Sequence, residues 1–302
     1  MTTFTGIDVA RRWLDVYSEQ GHFRVANDPG GYEEIAARTR GPYAVEATST
    51  YHVPVARHLW QLGSPVYLIS PLQVRRFAQA SMLRNKTDKI DAEAIARYAE
   101  VMHEQLTPWE PLTEDLAGIR VMVSYARGLM RHRVANSNRL HALLFAYPEH
   151  APELEAGLNV IEDTVKRFYK RALAIAYENP TLGSWIDVWT EMPGVGERVA
   201  ITILAYTGDI RRFKNARAYA AYTGLTPVRK QSGENEGKAH ISRLGPGPLR
   251  EALFIAARSA VRWDPYLRSW YDRKVSEGKP KLLVLTAVAR KIAERVYSAA
   301  AG

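Results

Sequence analysis

The sequence predicts an α/β domain built on a mixed sheet with flanking helices. A helical hairpin or coiled-coil segment and a mostly α-helical C-terminal domain follow it. Three observations lead there. Short period-two runs alternate with helical stretches over the first hundred residues. From Leu112 onward, apolar residues recur at near-helical spacing with arginines between them. Positive charge gathers in the second part of the chain: residues 1–110 hold 12 Lys/Arg against 13 Asp/Glu, whereas the whole chain carries a net charge of +9. The boundaries that follow are 1–110 for the sheet domain, 111–184 for a long helical linker or arm, and 185–302 for the helical C-terminal domain.

Phe4 to Val9 reads as a strand, and Trp13 to Tyr17 alternates as a second after a four-residue turn. His22 to Ala26 gives a third, broken by Asn27-Asp28-Pro29-Gly30-Gly31. A short helix over Tyr32–Thr39, a strand over Tyr43–Ala47, a helix over Tyr51–Leu62 and a strand over Val66–Ile69 come next. A further helix carries Asp88 and Asp91. Hairpins feeding alternating units imply a mixed sheet covered by helices. This order is similar to the ribonuclease H fold. The actin-like sugar kinases share that fold and open with the same Gly-Ile-Asp, but they place glycines just after the aspartate to wrap phosphates. Here Val9-Ala10-Arg11 follows, which disfavours nucleotide phosphotransfer.

Leu116, Ile119, Val123, Leu129, Leu140, Leu143 and Leu144 mark a long helix to about Tyr147. Leu154 to Tyr177 resumes the pattern after Pro148 and Pro152. These are two helices of a hairpin that either packs on the first domain or joins subunits; Trp185 and Trp189 suggest packing. Met192-Pro193-Gly194-Val195-Gly196 lies between helical stretches and resembles a helix-hairpin-helix turn, whose amides could meet a DNA phosphate. Tyr219 and Tyr222 sit among basic residues, as on a nucleic-acid surface, although core packing is the commoner use. Helices over Leu249–Val261 and Leu282–Tyr297 close the domain.

Composition narrows the chemistry. Zero cysteines exclude disulfides, thiol nucleophiles and thiolate zinc sites, and the eight histidines show no metal-ligand spacing. Any metal is therefore expected on oxygen. No apolar run approaches a membrane span and no signal peptide opens the chain, so a cytoplasmic location is expected, associated with the nucleoid when the protein is active.

Asp88 and Asp91, three apart near a helix N-terminus, share one face and repel unless a cation lies between them; hard oxygen pairs suit Mg²⁺. Asp88 or Thr87 could equally cap the helix, with Asp91 favouring its dipole. Asp8 on the first strand and Glu46 on its expected neighbour are flanked by apolar residues, where an unpaired carboxylate is costly. An ion pair with Arg11 or Arg84 would explain Asp8 differently. Downstream, 211–250 holds nine basic residues (Arg211, Arg212, Lys214, Arg217, Arg229, Lys230, Lys238, Arg243, Arg250) against Glu234 and Glu236, which suggests a bound polyanion. Ser232-Gly233 is flanked by Arg229, Lys230 and Lys238. Cations there would help a serine oxygen attack a phosphodiester, although Ser-Gly in a loop is usually just a turn.

Together these residues resemble the DEDD transposases of bacterial insertion sequences, the group also known as bridge-RNA-guided recombinases. The resemblance covers nearly the whole chain. It is carried by Gly6-Ile7-Asp8, Glu46-Ala47-Thr48-Ser49-Thr50-Tyr51 and Arg84-Asn85-Lys86-Thr87-Asp88-Lys89-Ile90-Asp91-Ala92. In the second half Pro193-Gly194-Val195-Gly196, Gly224-Leu225-Thr226-Pro227, Gln231-Ser232-Gly233 and the block from Ile241 to Arg250 carry it. It implies a RuvC-like domain whose Asp8, Glu46, Asp88 and Asp91 bind Mg²⁺ (or Mn²⁺), and a transposase domain in which Ser232 is the nucleophile joined to a cleaved DNA strand. The implied partners are double-stranded donor and target DNA, a structured noncoding guide RNA, and further copies of the chain as a dimer or tetramer. Nucleic-acid contacts are expected from Arg84, Lys86, Arg211, Arg212, Arg229, Lys230, Lys238, Arg243 and Arg250. The competing reading is a structure-selective nuclease like a Holliday-junction resolvase, in which the four acids cut with water and Ser232 is a bystander.

Overall fold

The computed structural model describes residues 3–80, 88–228, 231–232, 235–236, 240–242 and 245–301. They form two compact units, Met1–Pro111 and Leu112–Gly302.

In the first unit β1 (Thr5–Val9), β2 (Trp13–Ser18) and β3 (Gly21–Ala26) form an antiparallel meander. It is followed by α1 (Pro29–Arg38), β4 (Tyr43–Glu46), α2 (Val53–Gln61), β5 (Val66–Ile69), α3 (Pro71–Ala80) and α4 (Asp88–Met102). The sheet order is β3-β2-β1-β4-β5, with β4 parallel to β1 and β5 parallel to β4. The first helix begins at Pro29, earlier than the apolar pattern suggests. Asp28 caps it by accepting from the Gly31 amide at 2.9 Å, and proline is favourable in a first helical turn, so the Pro-Gly-Gly run opens the helix.

Strand alternation divides the core in two. Ile7, Val9, Tyr43 and Val45 pack with Tyr32 and Ile35 of α1 and Val55 and Leu59 of α2. Phe4, Ala44 and Ile69 pack instead with Ala94, Ile95, Ala96 and Ala99 of α4. Gly6 shares this second side, and there the helix touches the strand backbone: a Cβ on Gly6 would lie 2.1 Å from the Ala92 carbonyl oxygen. Only glycine admits α4 so close.

The second unit contains α5 (Glu114–Ala146), α6 (Ala151–Glu178), α7 (Pro180–Thr190), α8 (Glu197–Thr207) and α9 (Ala216–Tyr222). After these come the two-residue strands β6 (Pro227–Val228), β7 (Gln231–Ser232), β8 (Asn235–Glu236) and β9 (His240–Ile241), and then α10 (Gly247–Trp263), α11 (Pro265–Ser276) and α12 (Lys281–Ala301). Thr113 caps α5 and Asn179 caps α7 through side-chain oxygens. One core takes Leu116, Ile119 and Val123 from α5, Val165 and Tyr169 from α6, Trp185 and Trp189 from α7, and Ile201, Leu253 and Ile292 from α8, α10 and α12. The Trp189 indole is fully buried and donates to the Val296 carbonyl at 3.0 Å.

Helix α11 falls between the two helices that apolar spacing finds. It buries only Leu267 and is dense in charges and aromatics, so it shows no stripe. Its start is fixed by Asp264, which accepts from the Leu267 amide at 2.9 Å and from Arg295 at 2.5 Å. Among the described residues, no helix is long and apolar enough to cross a membrane.

A candidate carboxylate site

The register between β1 and β4 pairs Gly6 with Ala44 and Ile7 with Val45, so its next step brings Glu46 level with Asp8. Both side chains take the sheet face covered by α4, because Gly6 and Ala44, two residues before each, lie against that helix. Asp91 comes from the first turns of α4, next to the Ala92 carbonyl that nearly touches Gly6.

Asp8 registers the result electrostatically. Its carboxyl is pushed up from the ordinary 3.8 to about 7. Burial is the largest cause; the Glu46 charge, a hydrogen bond to Glu46 and the Asp91 charge add to it, and the Val9 backbone bond opposes it. Below about pH 7 Asp8 therefore favours its protonated form, which donates to Glu46. The other Glu46 contact is fixed by Thr48, whose hydroxyl donates to Oε2 at 2.8 Å.

A fifth acid stands close by. Asp15 on β2 is the cross-strand partner of Asp8 and so shares its face. Its charge is already answered: Arg24 on β3 donates from Nε to Oδ1 and from a terminal nitrogen to Oδ2, both at 2.9 Å. That fork marks Asp15 as a structural acid, its charge answered by Arg24.

Three sequence-predicted acids, Asp8, Glu46 and Asp91, thus come together from β1, β4 and α4. The fourth, Asp88, opens α4 three residues before Asp91, and its side chain lies outside the described residues. Among the described residues, no group of three His, Cys, Asp or Glu side chains encloses a metal position. The donor set nonetheless fits a hard divalent cation: it is all oxygen, and burial, helped by the neighbouring carboxylates, holds a proton on Asp8 that a cation would displace.

In the second unit, Ser232 lies on β7, opposite Asn235 of β8; its side chain is outside the described residues. Arg84, Lys86, Arg229, Lys230, Lys238 and Arg243 also lie outside them. The remaining predicted cations are engaged within the protein. Arg211 pairs with Asp209 at 2.7 Å, Arg212 lies over the rings of Phe213 and Tyr222 at 4.5 and 4.9 Å, and Arg250 donates to the carbonyls of Thr223 and Gly245.

Two positions singled out in the sequence lie in close packing. Tyr219 is fully buried and bonded to the Thr207 hydroxyl at 2.8 Å, its own hydroxyl pushed up by burial, so it is a core residue. Gly194 has φ +91, and a Cβ there would meet the Ala256 carbonyl at 2.5 Å. That turn packs its glycine closely on α10. The reading missed Gly6 and Thr48 as positioning residues, although both stand beside acids in the motifs. The signal for Gly6 was a glycine inside a buried strand.

A three-strand antiparallel meander with two parallel additions, ordered 3-2-1-4-5 and carrying its acids on the central strand and its neighbour, is the ribonuclease H fold in RuvC-like form. Residues 5–148 match a DEDD transposase model of IS110 type, described as "Transposase", and residues 187–272 match "Transposase IS116/IS110/IS902 family". The IS110 uncharacterized 43.6 kDa protein of Streptomyces coelicolor is 32% identical over 299 residues, covering 76% of this chain and 74% of that protein. The chain belongs to the IS110/IS116/IS902 family of insertion-sequence transposases, enzymes that cleave and transfer DNA. The pilin gene-inverting protein of Moraxella bovis is 24% identical over 98% of this chain and 95% of its own length. The transposase of IS1328 from Yersinia enterocolitica is 26% identical over 83% and 80%. Among solved structures, T. thermophilus RuvC in complex with a Holliday junction substrate aligns over 36% of this chain and all of that one. It does so at 18% identity and a TM-score of 0.28, and the fold assignment rests on the strand order instead.

Proposed function

We propose that this chain is the recombinase of an insertion sequence, cutting and exchanging DNA strands through a covalent serine–DNA intermediate. Residues 1–110 act as its acidic catalytic domain, 111–184 as an arm and 185–302 as the domain carrying the nucleophile. The observation that supports this reading best is the Asp8–Glu46 pair: two carboxyls sharing a proton under the influence of Asp91 form a site built for positive charge. Asp8, Glu46, Asp88 and Asp91 would hold Mg²⁺ or Mn²⁺, which supplies charge stabilisation to the phosphate and the departing oxygen. Thr48 keeps Glu46 aimed, and Arg24 keeps Asp15 out of the site.

Ser232 Oγ bonds to phosphorus as the bond to the leaving sugar oxygen breaks. The proton the serine gives up balances the one that oxygen gains. The phosphodiester bond is thereby conserved on the protein, and the reverse attack by another strand's hydroxyl completes exchange without water or ATP. Arg84, Lys86, Arg229, Lys230, Lys238 and Arg243, with Arg211, Arg212 and Arg250 as reserves already tied within the fold, would neutralise backbone phosphates. A structured guide RNA chooses donor and target by pairing, leaving the protein to read backbone and shape. The protein works as a dimer or tetramer in the cytoplasm, at the nucleoid when active. Apolar surface at the far end of the hairpin, including Phe145 at 91% exposure, suits a contact between copies.

The deciding experiment incubates protein, guide RNA, Mg²⁺ and labelled donor and target DNA, then resolves products under denaturing conditions. Wild type should give a protein–DNA adduct with the DNA on Ser232; Ser232→Ala should give neither adduct nor cut, and Asp8→Asn neither. Continued cutting by Ser232→Ala would turn the assignment to a water-using, resolvase-like nuclease.

A further inference from the structure

Away from the acids, α11 and α12 enclose a surface cleft of about 660 Å³ lined by Tyr266, Lys291, Glu294, Arg295, Ser298 and Ala299. Its walls alternate aromatic and cationic groups. Tyr266 and Trp270 lie one turn apart on α11, and Lys291 and Arg295 one turn apart on α12. Arg295 stands 5.6 Å from the Tyr266 ring centroid, and Lys291 Nζ 5.0 Å from that of Trp270.

The charges in the cleft are not equivalent. Arg295 is held by Asp264, the residue that caps α11, so its cation is already balanced. Glu294 accepts from Arg290 at 3.2 Å, so its anion is balanced too. Lys291 enters no ion pair among the described residues and is the surplus charge. Tyr266 is 60% exposed and Trp263, just before α11, is 73% exposed. Large aromatic surface left in water beside a surplus cation and a nucleotide-sized hollow suits a ligand with a flat π face and a nearby single anion.

We propose that this cleft binds one unpaired nucleotide of a nucleic-acid strand, its base stacked on Tyr266 and its phosphate against Lys291 Nζ. Stacking of a base on an aromatic side chain is tolerant of sequence, and a lysine beside it contributes one counterion's worth of salt dependence. Bases inside a duplex are paired and stacked on both faces and offer no free face, so the site discriminates single strands from continuous duplex. The shared chemistry, base plus phosphate, belongs to both RNA and DNA, and on the same wall the Glu294 carboxylate, or Ser298, whose own proton goes to the Glu294 carbonyl, could accept from a ribose 2′-hydroxyl that DNA lacks.

The test measures affinity of the full chain for a twelve-nucleotide single-stranded RNA, the DNA of the same sequence, and a relaxed covalently closed duplex circle, which has no ends on which to stack. Tyr266→Ala should weaken single-strand binding roughly five- to a hundredfold, the worth of one stacked base, while Tyr266→Phe keeps it. Lys291→Gln should lower the logarithmic salt slope for single strands by about 0.7, the value for one phosphate. Duplex binding should change in neither variant. RNA bound more tightly than DNA, with the difference lost in Glu294→Gln, assigns the ribose strand; equal binding assigns the base and phosphate alone. Unchanged single-strand affinity in Tyr266→Ala, an unchanged salt slope in Lys291→Gln, or an equal loss on duplex would each overturn the proposal. Both side chains line a surface cleft, and thermal melting of each variant checks that folding is intact.

Discussion

Replacing Asp8 by asparagine in metal-free protein should make the fold more stable, and increasingly so as pH rises. Asp8 binds its proton with a pKa of about 7 in the folded chain against 3.8 ordinarily. Between those values the folded chain holds one proton more than the unfolded one, so stability falls with rising pH. The favourable contribution is whole below 3.8 and gone above 7. At about 1.4 kcal/mol for each tenfold change in affinity, the full rise corresponds to about 4 kcal/mol at pH 8. Because Asp8 is only partly buried, solvent screening brings this to about 2–4 kcal/mol. Asparagine keeps the shape and discards the charge, so Asp8→Asn should exceed wild type by that amount at pH 8 and by less than about 1 kcal/mol at pH 4. Urea unfolding in EDTA, followed by far-ultraviolet circular dichroism at the two pH values, measures the gap. Adding Mg²⁺ at pH 8 should raise wild type and leave the variant alone. An equal gap at both pH values, or a less stable variant at pH 8, would show that the carboxyls do not repel as described.

Gly6→Ala should cost about 3 kcal/mol, because the new methyl meets the Ala92 carbonyl at 2.1 Å and α4 must move; DNA cleavage should vanish with it, while Gly157→Ala on α6, with helical backbone and nothing near its Cβ, changes cleavage little. Trp189→Ala should destabilise the second unit by about 3–5 kcal/mol in chemical denaturation, since it opens a cavity and orphans the Val296 carbonyl. Arg24→Met should leave Asp15 buried and unanswered on the face of Asp8, costing about 1–3 kcal/mol. It should also lower the Mg²⁺ concentration needed for cleavage, read from a metal titration, because a cation is removed and a carboxylate freed beside the acids.

The sheet was legible because its signals are local. Short alternating strands, an Asn-Asp-Pro-Gly break and Gly-Ile-Asp at the start give the meander and the central acid directly. That Asp8, Glu46 and Asp91 meet depended on strand order, which no single stretch encodes; the family motifs carried that step. Arg24 and Asp15 escaped notice because their pairing is set by register between β2 and β3. Helix α11 escaped because helices at a surface, rich in charge and aromatic side chains, leave no apolar stripe to find. For Tyr219 flanking basic residues left surface and core both open; a seven-residue helix turns that one ring into the core beside Phe213 and Tyr297.

Strand β1 comes first in the chain but third in the sheet. Both of its hydrogen-bonding neighbours and the helix that roofs its polar face, which ends at Met102, are made after it. During synthesis Asp8 therefore leaves the ribosome long before anything can hold it in place. A nascent chain stalled before α4 carries the aspartate with no pocket around it, so the acidic centre assembles only once the entire first unit has emerged.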